Sequence, residues 1–303
     1  MPLRRALLYL SGQPKVRKWV ETSPVARRLS SRFIAGHTLE DALSTCIGMR
    51  AEGTAATLDY LGENVRSLEE ASLCRDTYLR TLLAMREAGL EPNVSVKLTQ
   101  FGLDFSTEAC EQNVGILVKA AGEIGGFVRI DMESSQYTDR TLGIVSRLHA
   151  KYAACGTVIQ AYLHRSAADV DRLTRERIRV RLCKGAYLEP SSVAFPEKSA
   201  VDRNYLALAQ TLLKNGAYPA IATHDEQMIE RVERFAAAHQ IGRDRFEFQM
   251  LYGIRRDLQK RLVHDGYRLR LYVPFGEAWY PYFMRRLAER PANALFLLRN
   301  LLR

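Results

Sequence analysis

Four residues near the end of the 303-residue chain fall on one helix face: Tyr282, Arg285, Arg286 and Glu289, spaced i, i+3, i+4 and i+7. Two fixed cations, a phenol and a carboxylate side by side can hold an anion beside something flat. In the segment YPYFMRRLAERP, Pro281 suits a first helical turn and Pro291 disfavours helix at Arg290. Alone, such an Arg-Arg pair is better read as a solvated charged face. Polar residues upstream change that balance. Lys97, Thr99, Asp131, Glu133, Gln160, Tyr162, Arg181, Lys184, Thr223, His224, Gln249 and Tyr272 all stand at or near the ends of short apolar runs. Lys97, Arg181 and Lys184 add three cations to the two arginines, which suits a ligand carrying phosphate or carboxylate. In KGAYLEP, Gly185 follows Lys184 directly, where backbone can approach a ligand closely.

Other chemistries find little support. The six histidines include no HExxH and no close pair, so no metal site is expected. A lone His224 is more often a hydrogen-bonding loop residue than a ligand. There is no GxSxG, and no cysteine has an obvious histidine partner. Five singly scattered cysteines without CxxC point to neither a disulfide framework nor a zinc ribbon, and fit a reducing cytoplasm.

Eight short runs must position these residues: 55–61, 93–98, 127–132, 157–163, 178–184, 220–223, 246–251 and 268–274. Most are rich in β-branched or aromatic residues, as strands are, and helical stretches fill the gaps. Residues 67–89 and 225–240 are examples, the second with Thr223 or Asp225 as its N-cap. Strand and helix alternating eight times predict an α/β (β/α)8 barrel of the TIM type over residues 55–303, with residues 1–54 as extra helices packed outside it. Alternation alone also allows a doubly wound sheet, which would normally carry GxGxxG after an early strand if it bound a dinucleotide, and none is present. In such a barrel chemistry gathers at the C-terminal mouth, where the polar residues above are expected.

The net charge of +10 is concentrated at the two ends. Residues 1–32 carry eight Lys/Arg and one acid, a balance of +7, and residues 255–303 carry eleven and four, again +7. A basic start with Leu, Tyr and Trp among its cations either lies on an anionic membrane surface or is a solvated terminal helix. The body between is acidic overall and holds no nucleic-acid motif, so no nucleic-acid partner is expected. No apolar run reaches the length of a spanning helix, and MPLRRALLYL lacks the h-region and cleavage site of a signal peptide.

VSVKLTQFGLD, VRIDMESS, VIQAYL, VRLCKGAY, ATHD, FEFQMLYG, YVPFG and YPYFMRRLAERP follow one another in this order. With them, from about residue 35 onward, the chain resembles the flavin-dependent proline dehydrogenases, in particular the short monofunctional bacterial type. The resemblance implies oxidation of L-proline to Δ1-pyrroline-5-carboxylate by hydride transfer from C5 to N5 of FAD. It implies a distorted barrel with the eighth helix over its mouth, and electrons passed to a membrane quinone by a cytoplasmic enzyme peripherally attached to the membrane. Arg181 would lie by the isoalloxazine near N5, and Gln160, Lys184, Gly185, Ala186, Thr223, His224, Gln249 and Glu289 would contact the flavin elsewhere. Lys97, Asp131, Tyr272, Tyr282, Arg285 and Arg286 would surround the amino acid, with Leu251 and Tyr187 closing its apolar side. Asp225 is left out of this set, because longer bifunctional relatives carry Thr-His-Asn where this chain has Thr-His-Asp.

Two rival readings stand beside it: a barrel lyase using Lys97 or Lys184 as a Schiff-base amine, and a non-enzymatic barrel whose basic termini bind a membrane or nucleic acid. Whether the purified protein is yellow separates all three readings. If Arg285 and Arg286 grip a substrate carboxylate, either one changed to Ala removes a hydrogen bond to a charged group worth roughly 1.5–3 kcal/mol. kcat/KM for proline then falls about 10- to 150-fold, with KM carrying much of the loss and Lys rescuing only partly. Steady-state kinetics with a dye acceptor measure this, and an unchanged KM in both alanine variants returns the pair to a solvated face.

Overall fold

The computed structural model describes residues 30–62 and 65–289, with side chains as far as Met284. The basic segment before residue 30 and the side chains of Arg285, Arg286 and Glu289 therefore lie outside the described residues.

Eight parallel strands close into a barrel in sequential order: β1 Ala55–Tyr60, β2 Asn93–Val96, β3 Phe127–Ile130, β4 Cys155–Gln160, β5 Arg179–Cys183, β6 Ala220–Ala222, β7 Glu247–Leu251 and β8 Leu269–Phe275. Each expected run overlaps one of them; β4 begins two residues before its run, at Cys155, and β8 ends one residue after its run, at Phe275. A helix, α1 (Leu39–Ala51), precedes β1. One helix follows each strand: α2 Leu68–Glu87, α3 Thr107–Glu123, α4 Thr138–Tyr152, α5 Ser166–Arg175, α6 Lys198–Asn215, α7 Glu226–Ala238, α8 Arg256–His264 and α9 Trp279–Glu289. Among the described residues no helix is long and apolar enough to cross a membrane.

The register fixes which side chains meet inside the barrel. Ser95 pairs with Arg129, Arg181 with Ala220, Gln249 with Arg270 and Leu251 with Tyr272. Because strand side chains alternate with a period of two, these positions share the inner face. Their neighbours, such as Leu58, Val94, Val128, Ile130, Leu182, Ile221, Phe248 and Leu271, are buried in the main apolar core between sheet and helices. α1 joins that core through Ala42, Cys46 and Met49. Its N-terminus is secured by a reciprocal capping box between Thr38 and Asp41.

The inner face is polar where barrels of this type are usually filled by branched aliphatic side chains. From one end to the other, Arg270 Nε donates to Glu247 Oε1 (3.0 Å), Gln249 Nε2 to the same oxygen (2.5 Å), and Arg181 Nε to Gln249 Oε1 (2.5 Å). Arg181 Nη1 then reaches Ser95 Oγ (3.0 Å) and Asp131 Oδ1 (2.9 Å). Between β1 and β2 the register holds at Leu58–Val94. The Tyr78 hydroxyl of α2 satisfies backbone groups beside it, donating to Ser95 O (3.0 Å) and accepting from Tyr60 N–H (3.1 Å).

The last helix departs from the ring of flanking helices. Trp279, Tyr280, Tyr282, Phe283 and Met284 form a second buried cluster with Phe33, Ile34, Leu61 and Ile254, against which Leu251 and Tyr272 pack. Leu251 is the last residue of β7, and Tyr272, at the middle of β8, pairs with it, so α9 caps the mouth. Apolar burial of these large rings, rather than charge, anchors its first turns.

Candidate active site

The mouth begins where the strands stop. β2 ends at Val96, one residue before Lys97, because the chain turns there into a 3-10 segment, Leu98–Phe101. β3 ends at Ile130, so Asp131 and Glu133 stand just beyond it, although Asp131 N–H still donates to Val96 O. Asp131 is fully engaged. Its Oδ1 accepts from Ser95 Oγ (2.7 Å) and Arg181 Nη1 (2.9 Å), and its Oδ2 accepts from the Tyr272 hydroxyl (3.1 Å), with Lys97 Nζ at 3.7 Å.

Lys97 Nζ is held more tightly by Asp59, at 3.0 Å, and donates to the Tyr272 hydroxyl at 3.2 Å. Burial opposes its charge, but Asp59 and Asp131 outweigh it and keep the ammonium above the usual lysine value. Asp59 itself is pushed up by burial, with Asp131 adding to the rise and Lys97 opposing it. The Tyr272 phenol is raised well above its ordinary value, first by burial and then by the two carboxylates. Arg181 stacks 5.3 Å from the centre of that ring. Lys97, Asp131, Arg181 and Tyr272 are therefore one cluster, and Asp59 belongs to it unforeseen. The sequence carried a signal for Asp59: in AATLDY the alternation that buries Leu58 outward turns the aspartate inward.

A second group surrounds the turn after β5. Gln160 Oε1 accepts from the Ala186 backbone N–H (3.0 Å), and its Nε2 donates to Glu133 O (3.0 Å). Glu133 in turn accepts from Thr99 N–H (3.1 Å) and Thr99 Oγ1 (2.7 Å), so the β2, β3 and β4 ends brace one another. Gly185 has φ +133°, and a Cβ there would lie 2.3 Å from the Tyr162 ring, so only glycine fits. Gly185, Ala186 and Tyr187 are exposed beside it.

Lys184 is anchored at 2.6 Å from Asp202 and 2.8 Å from Asp225. Asp225 stands at the N-cap position of α7, but its side chain makes no cap bond, because Lys184 takes it; Thr223 Oγ1 accepts from Asp225 N–H (3.1 Å). Burial opposes ionisation of Asp225, yet the Lys184 hydrogen bond and charge hold its carboxyl below the usual value. Asp202 and Asp225 were thus absent from the expected set, and both position one of its members. His224 Nε2 accepts from Leu251 N–H (2.9 Å), which leaves the ring proton on Nδ1. Gln249 is locked between Arg181 and Glu247. Tyr282 is buried with Leu251 and Tyr272 packed against its cluster. The remaining expected members, Arg285, Arg286 and Glu289, fall on α9 by sequence, and their side chains are outside the described residues.

Both lysines of the Schiff-base reading are committed. Lys97 is kept charged by two carboxylates, and Lys184 is ion-paired to Asp202 and Asp225. Among the described residues no group of His, Cys, Asp and Glu could hold a metal ion. Arg181 Nη2 is buried with no hydrogen-bond partner. Such a donor is costly to leave unpaired, and an acceptor on a bound group would satisfy it.

A closed parallel barrel with cations, carboxylates and phenols converging at its mouth, beneath an aromatic capping helix, is a (β/α)8-barrel enzyme. The family described as "Proline dehydrogenase" matches residues 42–299, and the chain belongs to it. It is 41% identical over 305 residues to "Proline dehydrogenase" of Deinococcus radiodurans, covering 99% of this chain and 98% of that protein. It is also 41% identical to "Proline dehydrogenase 1" of Bacillus subtilis strain 168, over 99% of each. Among solved structures it is similar to proline utilization A from Bdellovibrio bacteriovorus inactivated by N-propargylglycine, with a TM-score of 0.82 and 29% identity. That match covers 87% of this chain and 33% of the longer one.

The Lys97–Asp59 pair gives a test of the cluster. Breaking a buried pair on one side costs about 3–5 kcal/mol, so Asp59→Asn and Lys97→Met each destabilise strongly, while the double variant loses clearly less than their sum. The Asp59 carboxyl is already raised, and without Lys97 it rises further. A raised acid weighs against the fold above its unfolded value, so the Lys97→Met penalty shrinks as pH falls from 8 to 5. Urea unfolding of the four proteins at both pH values measures this, and additive, pH-independent losses contradict it.

Proposed function

We propose that this chain, an oxidoreductase acting on proline, converts L-proline to Δ1-pyrroline-5-carboxylate with FAD at the barrel mouth and passes the electrons to membrane quinone. One observation carries the cofactor reading: the buried, unpartnered Nη2 of Arg181, whose other nitrogens are fixed by Gln249, Ser95 and Asp131. A donor so immobilised suits an acceptor atom of a flat ring system. The glycine turn at Gly185 and the cation of Lys184 suit the rest of a dinucleotide. Arg181, Gln160, Lys184, Gly185, Ala186, Thr223, His224, Gln249 and Glu289 would hold the group. When bound, FAD supplies a two-electron acceptor for hydride.

The residues of the chain then have separable tasks. Proline is a zwitterion with an apolar three-methylene edge. Arg285, Arg286 and Lys97 would fix its carboxylate, Lys97 because Asp59 and Asp131 keep it charged. Tyr272, Tyr282, Leu251 and Tyr187 would cover the methylenes and so aim C5. Hydride leaves C5 and the amine proton leaves nitrogen as the C=N bond forms, and positioning supplies most of the rate. Asp131 already accepts three hydrogen bonds, which favours water over this carboxylate as acceptor of the amine proton. A fixed guanidinium at Arg181 would favour the developing negative charge.

Purified protein is expected to show oxidised flavin absorbance that bleaches when proline is added anaerobically. A colourless protein that takes up no FAD removes the reading. The +7 charge of residues 1–32 supports attachment to an anionic leaflet, where each basic residue contributes about 1 kcal/mol. Deleting the segment should weaken sedimentation with anionic liposomes and leave turnover with a soluble dye intact. Undiminished sedimentation contradicts the membrane role.

A further inference from the structure

The barrel has a second polar opening, at the N-terminal ends of its strands, away from the mouth. A cavity of about 500 Å³ lies there, lined in part by Phe127, Arg129, Arg179, Tyr218, Asp244 and Arg268. Its centre is Arg129, only 4% exposed. Arg129 Nη1 donates to the backbone carbonyls of Thr157 (3.0 Å) and Arg179 (2.6 Å), and among the described residues the guanidinium has no carboxylate partner. Space for it is made at Gly156, where a Cβ would lie 2.3 Å from Arg179 O and 2.9 Å from Arg129 Nη1.

The surroundings leave this charge uncompensated. Arg270 takes up the two nearby glutamates, Glu247 at 3.0 Å and Glu91 at 2.9 Å. Arg179 contributes a second cation, stacked 5.2 Å from the Phe127 ring centre and 5.4 Å from that of Tyr218. Arg268 contributes a third, 5.8 Å from the Tyr218 ring, with Nη1 donating to its hydroxyl at 3.3 Å. Against these three guanidiniums the cavity lining offers one further carboxylate, Asp244. Burial, with Arg181 and then Arg270 adding repulsion against Glu247, pushes Arg129 down to about 9. A buried cation in that position is stabilised by any anion that reaches it.

We propose that this pit at the barrel floor is a binding site for a small oxyanion, held by Arg129 and Arg179 with Arg268 at its rim. Phosphate and short carboxylates share the required chemistry, since guanidinium forks match both. The site is independent of proline turnover, and so is its test. Flavin-loaded protein is titrated calorimetrically at fixed pH and ionic strength with inorganic phosphate and, separately, with malonate, using chloride as the balancing salt. Saturable binding of either probe is expected, the tighter one naming the class of ligand. Arg129→Met and the exposed Arg179→Gln should each weaken it at least tenfold. Should Arg129→Met fail to fold, Arg179→Gln decides alone. Absence of saturable binding by both probes overturns the proposal, as does affinity unchanged in Arg179→Gln.

Discussion

Arg181 is the interaction on which the mouth depends. It is 6% exposed, and its nitrogens bind Gln249 from β7, Ser95 from β2 and Asp131 beyond β3. One planar cation thus ties four of the eight strands together across the barrel. A guanidinium can do this because its donors are fixed in a plane and its charge persists when buried. A lysine would supply one point of charge and lose the geometry. The same fixing orients Asp131, which in turn orients Tyr272, so residues at the mouth inherit their positions from a group deep in the barrel.

The charge balance of the mouth follows from that arrangement. Lys97 and Arg181 face Asp59 and Asp131, two cations against two carboxylates. Above the cluster, α9 is held by Trp279, Tyr280, Tyr282 and Phe283, whose burial is insensitive to salt. The start of the helix is thereby placed by apolar contact.

Much of this was legible in the sequence because strand alternation and strand ends are local signals. Each of the eight runs overlaps its strand, and Lys97, Asp131, Arg181 and Tyr272 all stand at or near run ends. Asp59 was missed because the run at 55–61 ends on Leu61, which hid a carboxylate two residues back. Asp202 lies on α6, 18 residues beyond Lys184, and no local pattern announces that pairing. Thr223 and Asp225 are both candidates by sequence to cap α7; Asp225 takes the N-cap position, but a lysine from the β5 turn competes for its side chain and wins. Tyr78 belongs to the same class of omission: a helix residue whose hydroxyl serves the sheet cannot be found without the register of β1 against β2. Long-range electrostatics, not secondary structure, is where reading the chain alone ran out.

The polar interior has a consequence for how the chain can diverge. Gln249 donates to Glu247 and accepts from Arg181, so its amide has one permitted orientation, set from both sides. Along the Arg270–Glu247–Gln249–Arg181 series each side chain specifies the type of its neighbour, as letters in a word constrain one another. The outer faces of the same strands follow volume alone, and Leu, Ile and Val can be exchanged there with repacking. Sequence drift in this fold should therefore be partitioned by residue parity along each strand. Odd and even positions of β7 or β8 evolve under different rules, the outer ones substituting singly and the inner ones only in concert.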